Sequence, residues 1–211
     1  MTTIVGIQGD GFALIGCDSQ VSDFAEEGYA TQVVTLKESA GKIATNGRYL
    51  LGAAGDVRAI NILHHAFTPP AAPHTLRGKK LDHFFTTKFI PALRECFESQ
   101  GYAVPDKDDK EHMAEHNSSV IVAINNVIYT VEGDYSWYSD VTGMYALGTG
   151  AQYAMGALHA LQMKTRMSLS TAKKYAMKAL AAAAKFDPYT GAPYHVYVQG
   201  GDTPRKNGKP V

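Results

Sequence analysis

The chain has 211 residues, 45% of them hydrophobic, which suffices for one domain with a sizeable core. Twenty basic residues balance twenty acidic ones, so no global electrostatic attraction to nucleic acid or to an anionic membrane is expected. Cys17 and Cys96 are too few for a disulfide framework, nothing at the start resembles a secretory leader, and no apolar run reaches the roughly 20 residues that cross a bilayer. A soluble, cytoplasmic protein is the expectation.

Along the chain, Thr2 to Gln8 alternates, Gly9-Asp10-Gly11 is a turn cluster suited to positive φ, and Phe12 to Cys17 is a second apolar run; together they predict a β-hairpin. A polar stretch from Asp23 to Gly28 follows. Gln32 to Leu36 and Lys42 to Thr45 read as extended, and Asn46-Gly47 turns the chain into Tyr49-Leu50-Leu51-Gly52. From Asp56 to Phe67, Val57, Ile60, Leu63 and Phe67 have helical spacing, with Asp56 as candidate cap and Pro69-Pro70-Ala71-Ala72-Pro73 as terminator. A second helix is predicted over Leu81 to Gln100, with Pro91 as a candidate kink.

Val104 to His116 is dense in charge and lacks an apolar period, so an exposed loop or short helix, inserted before the next strands, is expected there. Ser118 to Ile124 and Val127 to Glu132 flank Asn125-Asn126 as another hairpin, Tyr135 to Tyr138 is a candidate extension of that sheet, and Tyr145 to Gly148 leads into a helix. Helices are predicted over Gln152 to Lys164 and Ser170 to Lys185, the latter capped by Ser168 or Ser170, and a last strand over Pro193 to Gln199. Residues 200–211 form a polar tail. Two blocks of strands, each followed by two helices, predict a single α+β domain in which two sheets are covered on their outer faces by helix pairs.

The chemistry centres on Met1-Thr2-Thr3. Removal of Met1 would leave Thr2 as a hydroxyl nucleophile whose own α-amine, with a reference pKa of about 7.7 to 8, can serve as base. A lysine beside the amine would lower its pKa, and an aspartate would hold that lysine; Asp18 and Lys42 are the candidates.

The segments Thr2-Thr3-Ile4-Val5-Gly6 and Ile15-Gly16-Cys17-Asp18-Ser19-Gln20 resemble the opening of proteasome β-subunits and of the HslV-type peptidase. Gly41-Lys42-Ile43, Leu51-Gly52-Ala53-Ala54-Gly55, Leu147-Gly148-Thr149-Gly150 and Asp187-Pro188-Tyr189-Thr190-Gly191 resemble further motifs of that family, in its order and over nearly the whole chain. The resemblance implies an amino-terminal-nucleophile (Ntn) hydrolase fold: a four-layer α-β-β-α sandwich of two antiparallel sheets flanked by helix pairs.

It also implies a threonine endopeptidase. In that role Thr2 is nucleophile and base, Asp18 orients Lys42, Gly55 donates its N–H to the oxyanion, and Thr149, Asp187 and Thr190 position the amine. Thr stands at two places where the family more often has Ser. Ala53, with Val21 and Val57 as neighbours, is expected to line the first specificity pocket. The segment from Asp18 to Lys42 is longer than the family's, which leaves Lys37 as a rival. No cofactor is implied. The resemblance further implies self-association into stacked rings that degrade unfolded polypeptides, with an ATP-dependent unfoldase as partner. An inactive structural ring subunit that keeps Met1, or a small-molecule Ntn amidase, are the alternatives.

His112-Met113-Ala114-Glu115-His116 fits the H-x-x-E-H zinc pattern, but it falls in the charged segment without an evident third ligand; a solvated loop is the expectation. Gly148-Thr149-Gly150 lacks the rest of a dinucleotide fingerprint.

Overall fold

The computed structural model describes residues 2–24, 30–102, 115–162, 164 and 166–201. Met1, the polar tail beyond residue 201, and most of the charged segment from Val104, with the first histidine of the zinc-like pattern, lie outside the described residues.

Two antiparallel sheets form the centre. In the first, β1 (Thr3–Gly9) lies between β10 (Met144–Gly148) and β2 (Phe12–Cys17), and β11 (His195–Gly200) closes the edge beside β2. The second runs β5 (Ile43–Asn46), β6 (Tyr49–Gly55), β7 (Ser118–Ile124), β8 (Val127–Val131) and β9 (Trp137–Tyr138), neighbour beside neighbour. The period-2 rule explains the layers, since alternate side chains of one strand point to opposite faces. Ile4, Ala13, Ile15 and Cys17 meet Ile43, Leu50, Ile121, Ala123 and Ile128 between the sheets. Val5, Ile7, Phe12 and Leu14 face outward onto α4 (Ala151–Ala160) and α5 (Leu169–Phe186). On the far side, Leu51, Ala53, Val120, Val122 and Tyr129 pack beneath the helices that follow β6. Both faces of each central strand are buried, so these strands read as continuous apolar runs although the sheets are antiparallel. The result is the expected four-layer sandwich.

Four local features depart from the sequence expectation. A two-stranded ribbon pairs β3 (Gln20–Phe24), whose end enters the stretch read as merely polar, with β4 (Ala30–Thr35), which overlaps the predicted extended run Gln32 to Leu36 and leaves Val33 and Val34 exposed. Asp56 sits at the N-cap of α1 (Val57–His65), but its side chain makes no capping bond. The predicted long helix is α2 (Lys79–Phe84), a π turn over Phe85–Phe89 and α3 (Ile90–Ser99). Pro91 has no N–H to donate and its ring crowds the preceding turn, and the ladder widens just before it, with Ile90 N–H bonded to the Phe85 carbonyl. On the other side, α4 ends two residues before Gln162, whose φ of +50° stops it short of the predicted Lys164.

His116, read as part of a solvated loop, is instead 4% exposed. Its ring packs edge-on against Phe97 and Tyr135, and neither ring nitrogen has a hydrogen-bond partner among the described residues. Burial lowers its pKa, with Glu132 and Asp134 opposing from the neighbouring strand and turn.

Two predictions follow from the packing. Ser168 caps α5 by accepting from Thr171 N–H, so Ser168→Ala is expected to cost about 1 kcal/mol in urea unfolding. For His116 the folded pKa lies below the unfolded value of about 6.5, so its contribution is complete above that pH and is lost as pH falls toward the folded value. The urea midpoint should therefore fall between about pH 7 and pH 5. His116→Phe should show a shallower fall; an unchanged slope would contradict this reading.

Candidate active site

The site lies at the end of the sandwich where β1 begins and β2, β6 and β10 stop or turn. Thr2 is buried just ahead of β1. Thr3 pairs with Gly148 at the end of β10, and a Cβ on Gly148, whose φ is +90°, would overlap the Thr2 carbonyl oxygen. Only glycine lets that turn press against the Thr2 backbone.

Asp18 follows β2 directly and is fully buried. Its Oδ1 accepts the Thr3 N–H at 2.9 Å and Lys42 Nζ at 2.6 Å, and its Oδ2 accepts the N–H groups of Gln20 at 3.0 Å and Gly191 at 3.1 Å. Each oxygen thus takes two charge-assisted or backbone bonds, which offsets the desolvation of a buried carboxylate. Lys42 sits just before β5, is equally buried, and also donates to the Gln20 carbonyl at 2.5 Å. Burial lowers its pKa, and the Asp18 carboxylate opposes that by favouring the charged form. His64 of α1 steadies this segment through Nε2 and the Gly41 carbonyl at 2.7 Å. Lys37, the sequence rival, is exposed ahead of a single 3-10 turn at Glu38–Ala40.

The Cys17 thiol beside Asp18 is pushed up to about 12, by burial first and then by the Asp18 charge. It is therefore a neutral thiol that packs between the sheets.

A second network closes the site from the α5 side. Asp187, buried at the C-cap of α5, accepts the hydroxyls of Thr149 and Thr190 on Oδ2, each at 2.7 Å, and Tyr189 N–H on Oδ1 at 3.1 Å. Thr190 Oγ1 lies 2.5 Å from Thr3 Oγ1. A Cβ on Gly150 would collide with the Thr3 hydroxyl, so the Gly148-Thr149-Gly150 turn is small on both sides because it sits on the backbone and side chain of the first strand.

Gly55 ends β6 opposite Ser118, with φ of +135° and no room for a Cβ. Ala53 is fully buried in the helix-covered core, Val57 is partly exposed at the start of α1, and Val21 is half-buried on β3. Among the described residues, no group of three His, Cys, Asp or Glu side chains could hold a metal ion.

The structure therefore brings Asp18 to Lys42, and Thr149 to Asp187 and Thr190, with both groups tied to Thr3. Sequence reasoning did not single out Thr3, Gln20 or the Gly191 N–H. For Gln20 there was a signal: an aspartate that ends a strand often accepts the N–H two residues on. Thr3 and Gly191 carried none, because their roles come from contacts more than a hundred residues apart.

Comparison with known proteins locates the fold. No family model matches the sequence, and no curated protein matches it. Among solved structures, the BPH protein of Thiobacillus denitrificans, in complex with epoxomicin, superposes with a TM-score of 0.68 at 19% identity, covering 96% of this chain and 100% of that one. Eukaryotic HslV from Trypanosoma brucei gives a TM-score of 0.58 at 20% identity over 94% of this chain and 99% of that one. A helical assembly of the Anbu complex from Pseudomonas aeruginosa gives 0.63 at 16% identity, over 95% and 82%. The chain has the fold of the proteasome-type amino-terminal-nucleophile hydrolases.

Proposed function

We propose that this protein is a threonine-type endopeptidase that acts once Met1 has been removed. The observation that carries the reading is the buried Lys42–Asp18 pair, bonded to the Thr3 backbone one residue from the nucleophile. A fixed cation there favours the uncharged form of the Thr2 α-amine, the form that acts as base. The amine takes the hydroxyl proton as Thr2 Oγ1 attacks the peptide carbonyl carbon. The Gly55 N–H receives the negative oxygen; such donors are worth roughly 2.7 to 4 kcal/mol in the transition state. Collapse breaks the C–N bond, the amine returns its proton to the departing nitrogen, and water then hydrolyses the ester by the same route.

The Thr149–Asp187–Thr190 network, joined to Thr3 Oγ1, holds the amino terminus in place. Thr149 and Thr190 keep the hydroxyl that this role needs, and their added methyl restricts rotation about χ1. Half-buried Val21 and partly exposed Val57 are the apolar side chains available to a first specificity pocket, while Ala53 is fully buried in the helix-covered core; such a lining would suit substrates with apolar side chains before the scissile bond.

Self-assembly into rings around a chamber fits the exposed apolar side chains of the α4–α5 pair, where Phe186 is 64% exposed and its ring lies 5.8 Å from that of Tyr153, among exposed lysines of α5. Unfolded polypeptide is the substrate such a chamber admits, and an ATP-dependent unfoldase is the partner that would deliver it.

The test is hydrolysis of a fluorogenic peptide. Thr2→Ala should lower kcat by at least about a thousandfold, as removal of a covalent nucleophile does; a variant that kept its activity would refute the assignment. Lys42→Ala should lose at least about a hundredfold in kcat, and about 3–5 kcal/mol of stability because Asp18 is left buried and unpaired. Lys37→Ala should leave stability within about 0.5 kcal/mol and kcat unchanged. The reverse ranking of the two lysine variants would transfer the role to Lys37.

A further inference from the structure

Beneath Gly55 lies a closed ring of hydrogen bonds that the peptidase chemistry does not itself require. Gly55 is the last residue of β6 and faces Ser118, the first of β7. With φ of +135°, Gly55 holds a conformation that L side chains rarely adopt, and a Cβ would fall on the Asn117 carbonyl oxygen and the Ser118 side chain. Glycine adopts this φ without strain, and the same freedom leaves the turn dependent on contacts for a fixed orientation.

Ser118 supplies the hold. Its Oγ, in a side chain only 6% exposed, accepts the N–H of Asp56 at 3.0 Å, which fixes the plane of the Gly55–Asp56 peptide. The same hydroxyl lies 2.8 Å from Tyr102 Oη, and Tyr102 Oη donates to Asp56 Oδ2 over a longer 3.4 Å. One proton arrangement satisfies every member: Asp56 N–H to Ser118, Ser118 O–H to Tyr102, Tyr102 O–H to the Asp56 carboxylate. Burial raises the Tyr102 pKa, so its hydroxyl remains a donor at neutral pH.

Tyr102 is itself held. Its N–H bonds the Phe97 carbonyl at 2.9 Å, its ring packs edge-on against Phe97 at 5.0 Å, and Arg58 at the start of α1 donates to the Gln100 carbonyl at 2.5 Å. The end of α3 is thereby fastened to the turn that carries Gly55.

We infer that Ser118, oriented by Tyr102, is a positioning residue for the oxyanion-binding N–H of Gly55. The inference rests on the peptidase reading of that glycine. Ser118 does not touch substrate; it anchors the Gly55–Asp56 peptide, on the carboxyl side of the glycine, and so limits the rotation about Gly55 that would swing the adjoining Ala54–Gly55 peptide and its N–H away from the developing oxyanion, and a donor that is out of place loses most of its value.

The test compares two reactions of the full-length protein with Ser118→Ala, Ser118→Thr and Tyr102→Phe. Peptide hydrolysis develops an oxyanion; addition of Thr2 to a peptide vinyl sulfone forms a C–O bond at the alkene and passes no charge to a carbonyl oxygen. For Ser118→Ala, kcat should fall about tenfold, a fraction of the hundredfold or more lost with an oxyanion donor, while KM stays within about twofold and vinyl sulfone labelling of Thr2 keeps its wild-type rate. Tyr102→Phe should show a smaller loss of the same kind, and Ser118→Thr, which retains the hydroxyl, should recover kcat. An active wild type beside a Ser118→Ala variant with unchanged kcat overturns this inference alone. So does equal loss of hydrolysis and labelling, which marks a general structural role. A wild-type protein that neither hydrolyses peptide nor reacts with the vinyl sulfone overturns the peptidase reading and this inference with it.

Discussion

The candidate site depends on one buried ion pair. Asp18 and Lys42 are both fully enclosed, their atoms 2.6 Å apart, and taking two such charges out of water costs several kcal/mol for each before their attraction repays it. Repayment requires that the remaining hydrogen-bonding capacity be met, and it is met largely by backbone: Thr3, Gln20 and Gly191 donate to the carboxylate, and the Gln20 carbonyl accepts from the lysine. The pair is thus a clamp as well as a charge. It joins the start of β1, the end of β2, the entry to β5 and the turn after α5, four parts of the chain that share no local sequence. A fixed cation beside the chain's beginning is the electrostatic result.

The sandwich makes such a clamp possible. Strands buried on both faces cannot solvate their ends sideways, so their polar groups gather where the strands stop, and at this end they gather around Thr2 and Thr3. Asp187 and its two threonine hydroxyls form the opposite wall, joined to the first strand through Thr3 Oγ1. Glycines at 55, 148 and 150 let the surrounding turns approach closer than any side chain would allow. Precision at the site therefore comes from backbone contact, with few flexible side chains involved.

Much of this was legible in the sequence, for identifiable reasons. Strand runs bounded by turn residues gave the sheets, and helical spacing gave α1, α4 and α5. The six polar candidate residues and Gly55 lay in short motifs that resemble those of a known family, and the structure groups Asp18 with Lys42, and Thr149 with Asp187 and Thr190. The features that escaped were those without a local signal. Of the β3–β4 ribbon only Gln32 to Leu36 was read as extended, since its valines are exposed and line no buried face; Pro91 marked a kink but not the π turn before it; and His116 looked solvated because its aromatic neighbours at Phe97 and Tyr135 are distant in sequence or across a turn. Thr3 appeared only as a strand residue, since its partner Thr190 stands at the other end of the chain.

The central claim is that Thr2, freed of Met1, carries both nucleophile and base. A peptide epoxyketone reacts in full only with a residue that offers a free α-amine and a hydroxyl together. Mass spectrometry of the amino-terminal peptide after incubation with such a compound tests the claim most directly. The account predicts a peptide that begins at Thr2 and carries one inhibitor adduct. A peptide that retains Met1 and carries none would contradict it.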